Sequence, residues 1–350
     1  MLSFVYTPLP TRVVFGRGKR SQAAVEAARL GITRPLVITT PHQAGQGADL
    51  ARDINGIVYA HAAMHTPTDV TEAALRFAEG EQIDGLVALG GGSSTGLGKA
   101  LALRTDLPQL VIPTSYAGSE MTNILGETSG GLKTTRRDAK IQPETVIYDA
   151  DLLATLPDPF AATSGLNAIA HAVEGLYAAD GNPIISLMAE EGIRALANAL
   201  PLGAGGREQA LYGAWLCGAV LGSVSMALHH KLCHVLGGTF NLPHAETHAV
   251  ILPFATAYNA AAAPAAMAAI CRALNCSHAA QGLQTLARTI GAPLALRDIG
   301  MPQDGLDRAA DIAAASPYPN PAPLQRSAIR ELLENAYFGH ILPSPNQGEM

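Results

Sequence analysis

Charge is sparse in this 350-residue chain: Asp, Glu, Lys and Arg make up 15% of it against 48% apolar residues, and the formal balance is -6. An apolar share of that size excludes the disordered class, which cannot bury enough surface to offset chain entropy. The mild acid excess, with a pI near 6.0, argues against a nucleic-acid surface, since that needs clustered Lys and Arg. Long apolar runs are missing too. A stretch such as AAAPAAMAAI is Ala-rich and falls well short of the ~20 residues of a membrane-spanning helix. Cysteine is confined to Cys217, Cys233, Cys271 and Cys276 at unpatterned spacings. That is no disulfide framework, and each thiol reads as a small buried hydrophobe. The opening MLSFVYTPLPTRVVFG has neither a basic stretch nor a small-residue cleavage site. Together these absences predict a cytoplasmic globular protein with no nucleic-acid or membrane partner, long enough for about two domains.

What is present divides into two halves, an α/β domain over residues 1–155 and an all-helical domain over residues 156–350. In the first, short β-rich runs (PLVITT, NGIVYA, DGLVALGGG, LPQLVIPTS, TVIYDA) alternate with helical patterns such as TDVTEAALRFAEGEQ and a helix from about Leu97. This alternation indicates βαβ units and a parallel, Rossmann-like sheet. Ligands of such sheets bind beyond the carboxyl ends of the strands, and two loops of the right chemistry lie there. GGGSSTGLGK, Gly90 to Lys99, opens a helix with glycines that let a phosphate approach free N–H groups. PTSYAGSE, Pro113 to Glu120, offers the hydroxyls of Thr114, Ser115 and Ser119. The reading is a dinucleotide site with the pyrophosphate on Gly91, Gly92 and Ser93. The second strand ends at Thr40, Pro41, His42 and Gln43 without a carboxylate for a ribose hydroxyl, so NADH and NADPH are both expected as cofactor.

The second half is long, Ala- and Leu-rich and helical. DPFAATSGLNAIAHAVEGLYA places Asn167 and His171 four residues apart on one face. QALYGAWLCGAVLGSVSMALHHKLCHVLGG, read as one helix, does the same for His230 and His234. Pro243 starts a new element at His244, with His248 one turn on. A lone His on an apolar helix is more often a hydrogen-bonded core residue than a ligand. His229 and His248 are evenly balanced on that score, whereas the joint arrangement of His171, His230, His234 and His244 favours chemistry. His42, His61, His65, His278 and His340 read as surface or local residues, and the tail ILPSPNQGEM as loosely ordered.

GGGSSTGLGKA, PTSYAGSEMT, NAIAHAVE and HHKLCHVLGGTFNLPHAETH together resemble the iron-containing (group III) alcohol dehydrogenase family, whose architecture is that of the dehydroquinate synthases. Within it the likeness is to the maleylacetate reductases of bacterial aromatic degradation. The resemblance implies a homodimer and a small dicarboxylate substrate, maleylacetate, reduced to 3-oxoadipate. It also implies a metal position at Asn167, His171, His230 and His244, where metal-dependent members carry Asp at the first of these and often Asp at Gly96. A divalent ion held by three neutral imidazoles needs the carboxylate for charge, and an amide oxygen is outside the usual zinc ligand set. A metal-free site is therefore expected.

The chemistry tolerates this. Hydride added to the alkene carbon β to the ketone leaves a delocalised enolate, less basic than the alkoxide that a Lewis acid would stabilise. His171, His230 and His244 are then expected to orient the substrate and polarise the ketone, and His234 to deliver a proton to the α-carbon. Lys231, or Arg136, Arg137 and Lys140 of TTRRDAK, are candidates to meet the substrate carboxylates. The alternatives are a metal-dependent alcohol or polyol dehydrogenase of the same family, a lyase of the dehydroquinate synthase type, and a non-enzymatic nucleotide-binding protein.

Overall fold

The computed structural model describes residues 4–130, 132–315 and 317–340; the tail ILPSPNQGEM lies outside the described residues. Two compact units are present, one formed by Pro8–Leu156 and the other by Pro157 onward with the N-terminal residues up to Thr7.

In the first unit the chain runs β1 (Arg12–Phe15), α1 (Ala23–Arg29), β2 (Pro35–Ile38), α2 (Ala44–Ile54), β3 (Ile57–Tyr59), α3 (Thr68–Gly80), β4 (Gly85–Gly90), α4 (Gly92–Thr105), β5 (Gln109–Pro113), β6 (Ile124–Ser129), β7 (Leu132–Arg137) and β8 (Thr145–Tyr148). Six strands form one parallel sheet in the order β1-β8-β5-β4-β2-β3. The central strands β2, β4, β5 and β8 are buried at every position because both faces are covered. Strand alternation divides their side chains between two cores. Val37, Val87, Leu89, Leu110 and Ile112 pack with Ala23, Ala27 and Leu50 of α1 and α2. Leu36, Ile38 and Leu86 pack with Ala74, Ala78, Leu97 and Leu101 of α3 and α4. The helix expected from about Leu97 begins at Gly92, directly behind the strand. Strand β1 at the sheet edge and the antiparallel hairpin β6–β7 carry too little apolar run to be read from sequence.

Arg136 and Arg137 lie on β7 of that hairpin, with Arg136 paired to Asp138 at 3.3 Å; Lys140, just beyond, pairs with Asp106 at 3.3 Å. All three are largely exposed. The hairpin base is held from within by Lys99 of α4, which is fully buried. Its ammonium donates to Thr122 Oγ1 at 2.9 Å, to the Ile124 carbonyl at 3.0 Å, and to the Ser119 carbonyl. Burial pushes this lysine down to about 7, while the neighbouring Glu120 carboxylate pulls it back up.

The second unit comprises α5 (Asp158–Leu176), α6 (Pro183–Ala199), α7 (Arg207–Ser223), α8 (Leu228–Phe240), α9 (His244–Asn259), α10 (Pro264–Leu274), α11 (Ala279–Thr289), α12 (Leu306–Ala314) and α13 (Arg326–Phe338). Helix α5 is buried without interruption from Ala161 to Gly175, which makes it the centre of the unit. The single helix expected across residues 209–238 is in fact two, α7 and α8, parted at 224–227. Two carboxylates cause the break by capturing backbone N–H groups there. Asp180 accepts from Ser225 N at 2.9 Å, and Glu174 accepts from Ala227 N at 2.9 Å and His229 N at 2.8 Å. Hydrophobic periodicity is blind to such capture. Helix α9 starts at His244 behind Pro243, as the sequence predicts. Cys217 and Cys233 are buried as expected, whereas Cys271 and Cys276 are only partly covered. No single helix among the described residues is long and apolar enough to cross a membrane.

Replacing Lys99 with Met would remove the buried ammonium that donates to the Ser119 and Ile124 carbonyls and to Thr122 Oγ1. A loss of about 3 kcal/mol is expected, read as a lowered urea midpoint. An unchanged midpoint would mean that the hairpin does not depend on this ammonium.

Candidate active site

In the α/β unit the ends of β2, β4 and β5, neighbours in the sheet, bring the nucleotide candidates together. Gly91 caps α4, and the Thr114 N–H donates to the Gly90 carbonyl at 3.1 Å, holding the second loop against the first. Ser115 Oγ lies so close to Gly91 that an added Cβ would meet it at 3.0 Å, so a side chain there would push on Ser115. Gln43, three residues after Thr40, donates its amide to Thr114 Oγ1 at 2.9 Å. Thr40, Gly91, Gly92, Ser93, Thr114 and Ser115 thus belong to one edge of the sheet. Ser119 stands on the short turn that Lys99 grips. A side chain at Gly96 would run into Thr66 Oγ1, so the space of the family's Asp is taken by a threonine.

In the helical unit three helices assemble the histidines. Helix α5 supplies Asn167 and His171, α8 supplies His229, His230 and His234, and α9 supplies His244 and His248. The rings lie at graded depth: His229 and His248 are fully buried, His171 and His230 nearly so, and His234 and His244 exposed. His171 stacks on His230 with ring centroids 5.1 Å apart, His230 meets His234 at 6.3 Å, and His244 meets His248 at 4.4 Å. All four histidines singled out by spacing therefore belong to one cluster. His229 and His248, left evenly balanced by the sequence, join it from below through a 2.9 Å bond between His229 Nε2 and His248 Nδ1. Burial, reinforced by the neighbouring imidazoles, holds His171, His229 and His248 well below the usual histidine range, so these rings are neutral.

Sequence reasoning missed Glu174. This carboxylate is fully buried, sits 2.6 Å from His230 Nδ1, and caps the start of α8 with its two backbone bonds. It therefore receives the Nδ1 proton of His230 and turns Nε2 toward the cluster. The available signal was its place three residues after His171 in NAIAHAVE, on the same helix face. Asn167 Oδ1, His171 Nδ1 and His230 Nε2 are buried without a hydrogen-bond partner, and such groups call for a polar ligand. Lys231, considered for the substrate carboxylates, lies 5.7 Å from the Tyr318 ring centroid.

The donors at the implied metal position do not fit a divalent ion. Asn167, His171, His230 and His244 are all neutral ligands, so the four donors themselves offset neither charge of the ion, and the Glu174 carboxylate stands behind His230 rather than among them. Among the described residues, the His, Cys and carboxylate atoms that converge within 4.8 Å belong instead to His229, Cys233 and His248.

Residues 10–150 match the iron-containing alcohol dehydrogenase family, and residues 161–337 match the C-terminal part of the Fe-containing alcohol dehydrogenase family. The chain is 54% identical to the maleylacetate reductase of Burkholderia cepacia, over 98% of this chain and 100% of that one. Identity to the maleylacetate reductase of Rhizobium sp. (strain MTP-10005) is 52%, over 97% and 99%. The crystal structure of maleylacetate reductase from Agrobacterium tumefaciens superimposes with a TM-score of 0.94 at 51% identity, covering 98% of this chain and all of that one. With both halves matched and full-length relatives at this identity, the chain belongs to the iron-containing alcohol dehydrogenase family.

Proposed function

We propose that this protein is a maleylacetate reductase, transferring hydride from a nicotinamide cofactor to the enone double bond of maleylacetate and releasing 3-oxoadipate. The observation that carries the reading is the buried imidazole cluster with an amide, Asn167, at the position of the family's carboxylate. It occurs in a chain whose full-length relatives bear that name.

The cofactor is a nicotinamide dinucleotide, with its pyrophosphate on Gly91, Gly92 and Ser93 and hydroxyl contacts from Thr40, Thr114, Ser115 and Ser119. The polar end of β2, with no carboxylate among Thr40, Pro41, His42 and Gln43, suits NADH and NADPH alike. Hydride goes to the alkene carbon β to the ketone, and the electron pair moves onto the ketone oxygen as an enolate. Asn167, His171, His230 and His244 hold the substrate, and the N–H groups of this set meet the oxyanion. Glu174, 2.6 Å from His230 Nδ1, fixes the orientation of that ring. His234, exposed on the same face of α8, returns a proton to the α-carbon, completing a two-electron, one-proton reduction. This scheme needs no metal, because an enolate spreads its charge over carbon and oxygen.

Enzyme treated exhaustively with chelator should oxidise the nicotinamide at full rate with maleylacetate. Activity that vanishes with chelator and returns with zinc or iron would overturn the metal-free scheme, and turnover without net nicotinamide oxidation would point to a lyase. His234→Ala should lower kcat by about 100-fold with cofactor affinity near that of the parent; equal losses in both would reduce His234 to a fold support. For Glu174→Gln, which keeps the shape and removes the charge, a kcat drop of about 100-fold is expected with little change in cofactor Kd. A kcat equal to the parent's would leave Glu174 as a helix cap alone.

A further inference from the structure

Beneath the reactive face lies a second set of donors that the reduction does not use. His229 and Cys233 are four residues apart on α8 and so project from the same face, and His248 reaches them from α9. His229 Nε2 stands 2.9 Å from His248 Nδ1 and 3.7 Å from Cys233 Sγ. In tetrahedral zinc coordination two nitrogens stand about 3.4 Å apart, and a nitrogen and a sulfur about 3.6 Å apart, by the usual bond lengths. These two sides are thus within about half an ångström of a ligand triangle, and all three atoms lie within 4.8 Å of one another. We propose that His229, Cys233 and His248 form a thiolate–bis-imidazole site for zinc or a similar borderline-soft divalent ion, separate from the position where the family places its metal.

Protons balance as follows. The hydrogen now shared between His229 Nε2 and His248 Nδ1 must leave that line so that both nitrogens present lone pairs. The opposite ring nitrogens, His229 Nδ1 and His248 Nε2, are buried and without a partner, so one of them can take it. The thiol proton of Cys233 is released, one per ion bound. The thiolate offsets one charge of a divalent cation from within the donor set. The family position has no such anion among its own donors. Thiolate and imidazole are the ligand types that zinc prefers to amide oxygen. Three protein ligands leave one coordination place open.

Loading would tie down rings that pack on the reactive ones. His248 lies 5.0 Å from His230 and 4.4 Å from His244 between ring centroids, and His229 lies 5.3 Å from His230. An inhibitory effect of zinc follows, and that consequence alone rests on the proposed reaction. The binding itself does not.

The test is titration of the full chain, first freed of metal, with cobalt(II), followed by absorption spectroscopy. The expected result is uptake of a single ion with an intense sulfur-to-cobalt charge-transfer band in the near ultraviolet. The band should disappear in Cys233→Ala and in Cys233→Ser, the latter included because it preserves volume, and should persist in Asn167→Ala. Persistence of the band without Cys233 would assign it to another thiol and overturn the proposal. Cobalt bound without the band, or lost on Asn167→Ala, would place the ion at the family position. Failure of the folded parent chain to take up cobalt would also overturn it. None of these readings depends on turnover of maleylacetate.

Discussion

A single buried carboxylate, Glu174, organises the helical unit. It sits on the central helix α5, removed from water, and its two oxygens accept from Ala227 N, His229 N and His230 Nδ1. An isolated buried anion is costly, and it survives here because N–H groups at a helix start and an imidazole surround it. The same three bonds end the run of α7, begin α8, and fix which nitrogen of His230 faces the cluster. Removing the charge would therefore loosen a helix start and a reactive ring together.

Depth separates the histidines. Those fully enclosed, His229 and His248, are neutral and bonded to each other. Those at the boundary, His171 and His230, each keep a nitrogen without a partner. The outermost, His234 and His244, are exposed. A neutral amide at residue 167 fits this gradient, since neither the buried rings nor Asn167 brings a charge that demands an ion. In the α/β unit a buried cation plays the matching part. Lys99 gathers carbonyl and hydroxyl oxygens at the hairpin base and so sets the turn bearing Ser119.

Much of this was legible from residue order. The five strand segments that the sequence predicts are strands in the large sheet, since each is an uninterrupted apolar run bounded by turn residues. Asn167 with His171 and His230 with His234 show their shared faces by spacing alone, and Pro243 marks the start of α9. Strand β1 and the β6–β7 hairpin escaped because an edge strand and an exposed hairpin need no continuous apolar run. The start of α4 was placed late because GSSTG lacks apolar periodicity, although it is helical from Gly92.

The sequence by itself determined the two-part architecture, the glycine and hydroxyl loops, and the grouping of His171, His230, His234 and His244. Those follow from local rules, in which period, turn chemistry and i, i+4 spacing act within one element. Only the tertiary structure decided that α7 and α8 are separate, that Glu174 holds His230, and that His229, Cys233 and His248 converge. Each of these depends on a polar group from one helix meeting a partner on another, across 53 residues from Glu174 to Ala227 and 19 from His229 to His248. Burial makes such meetings strong, because an unpartnered polar group away from water is expensive. Their cause lies in three-dimensional packing, so no pattern along the chain announces them.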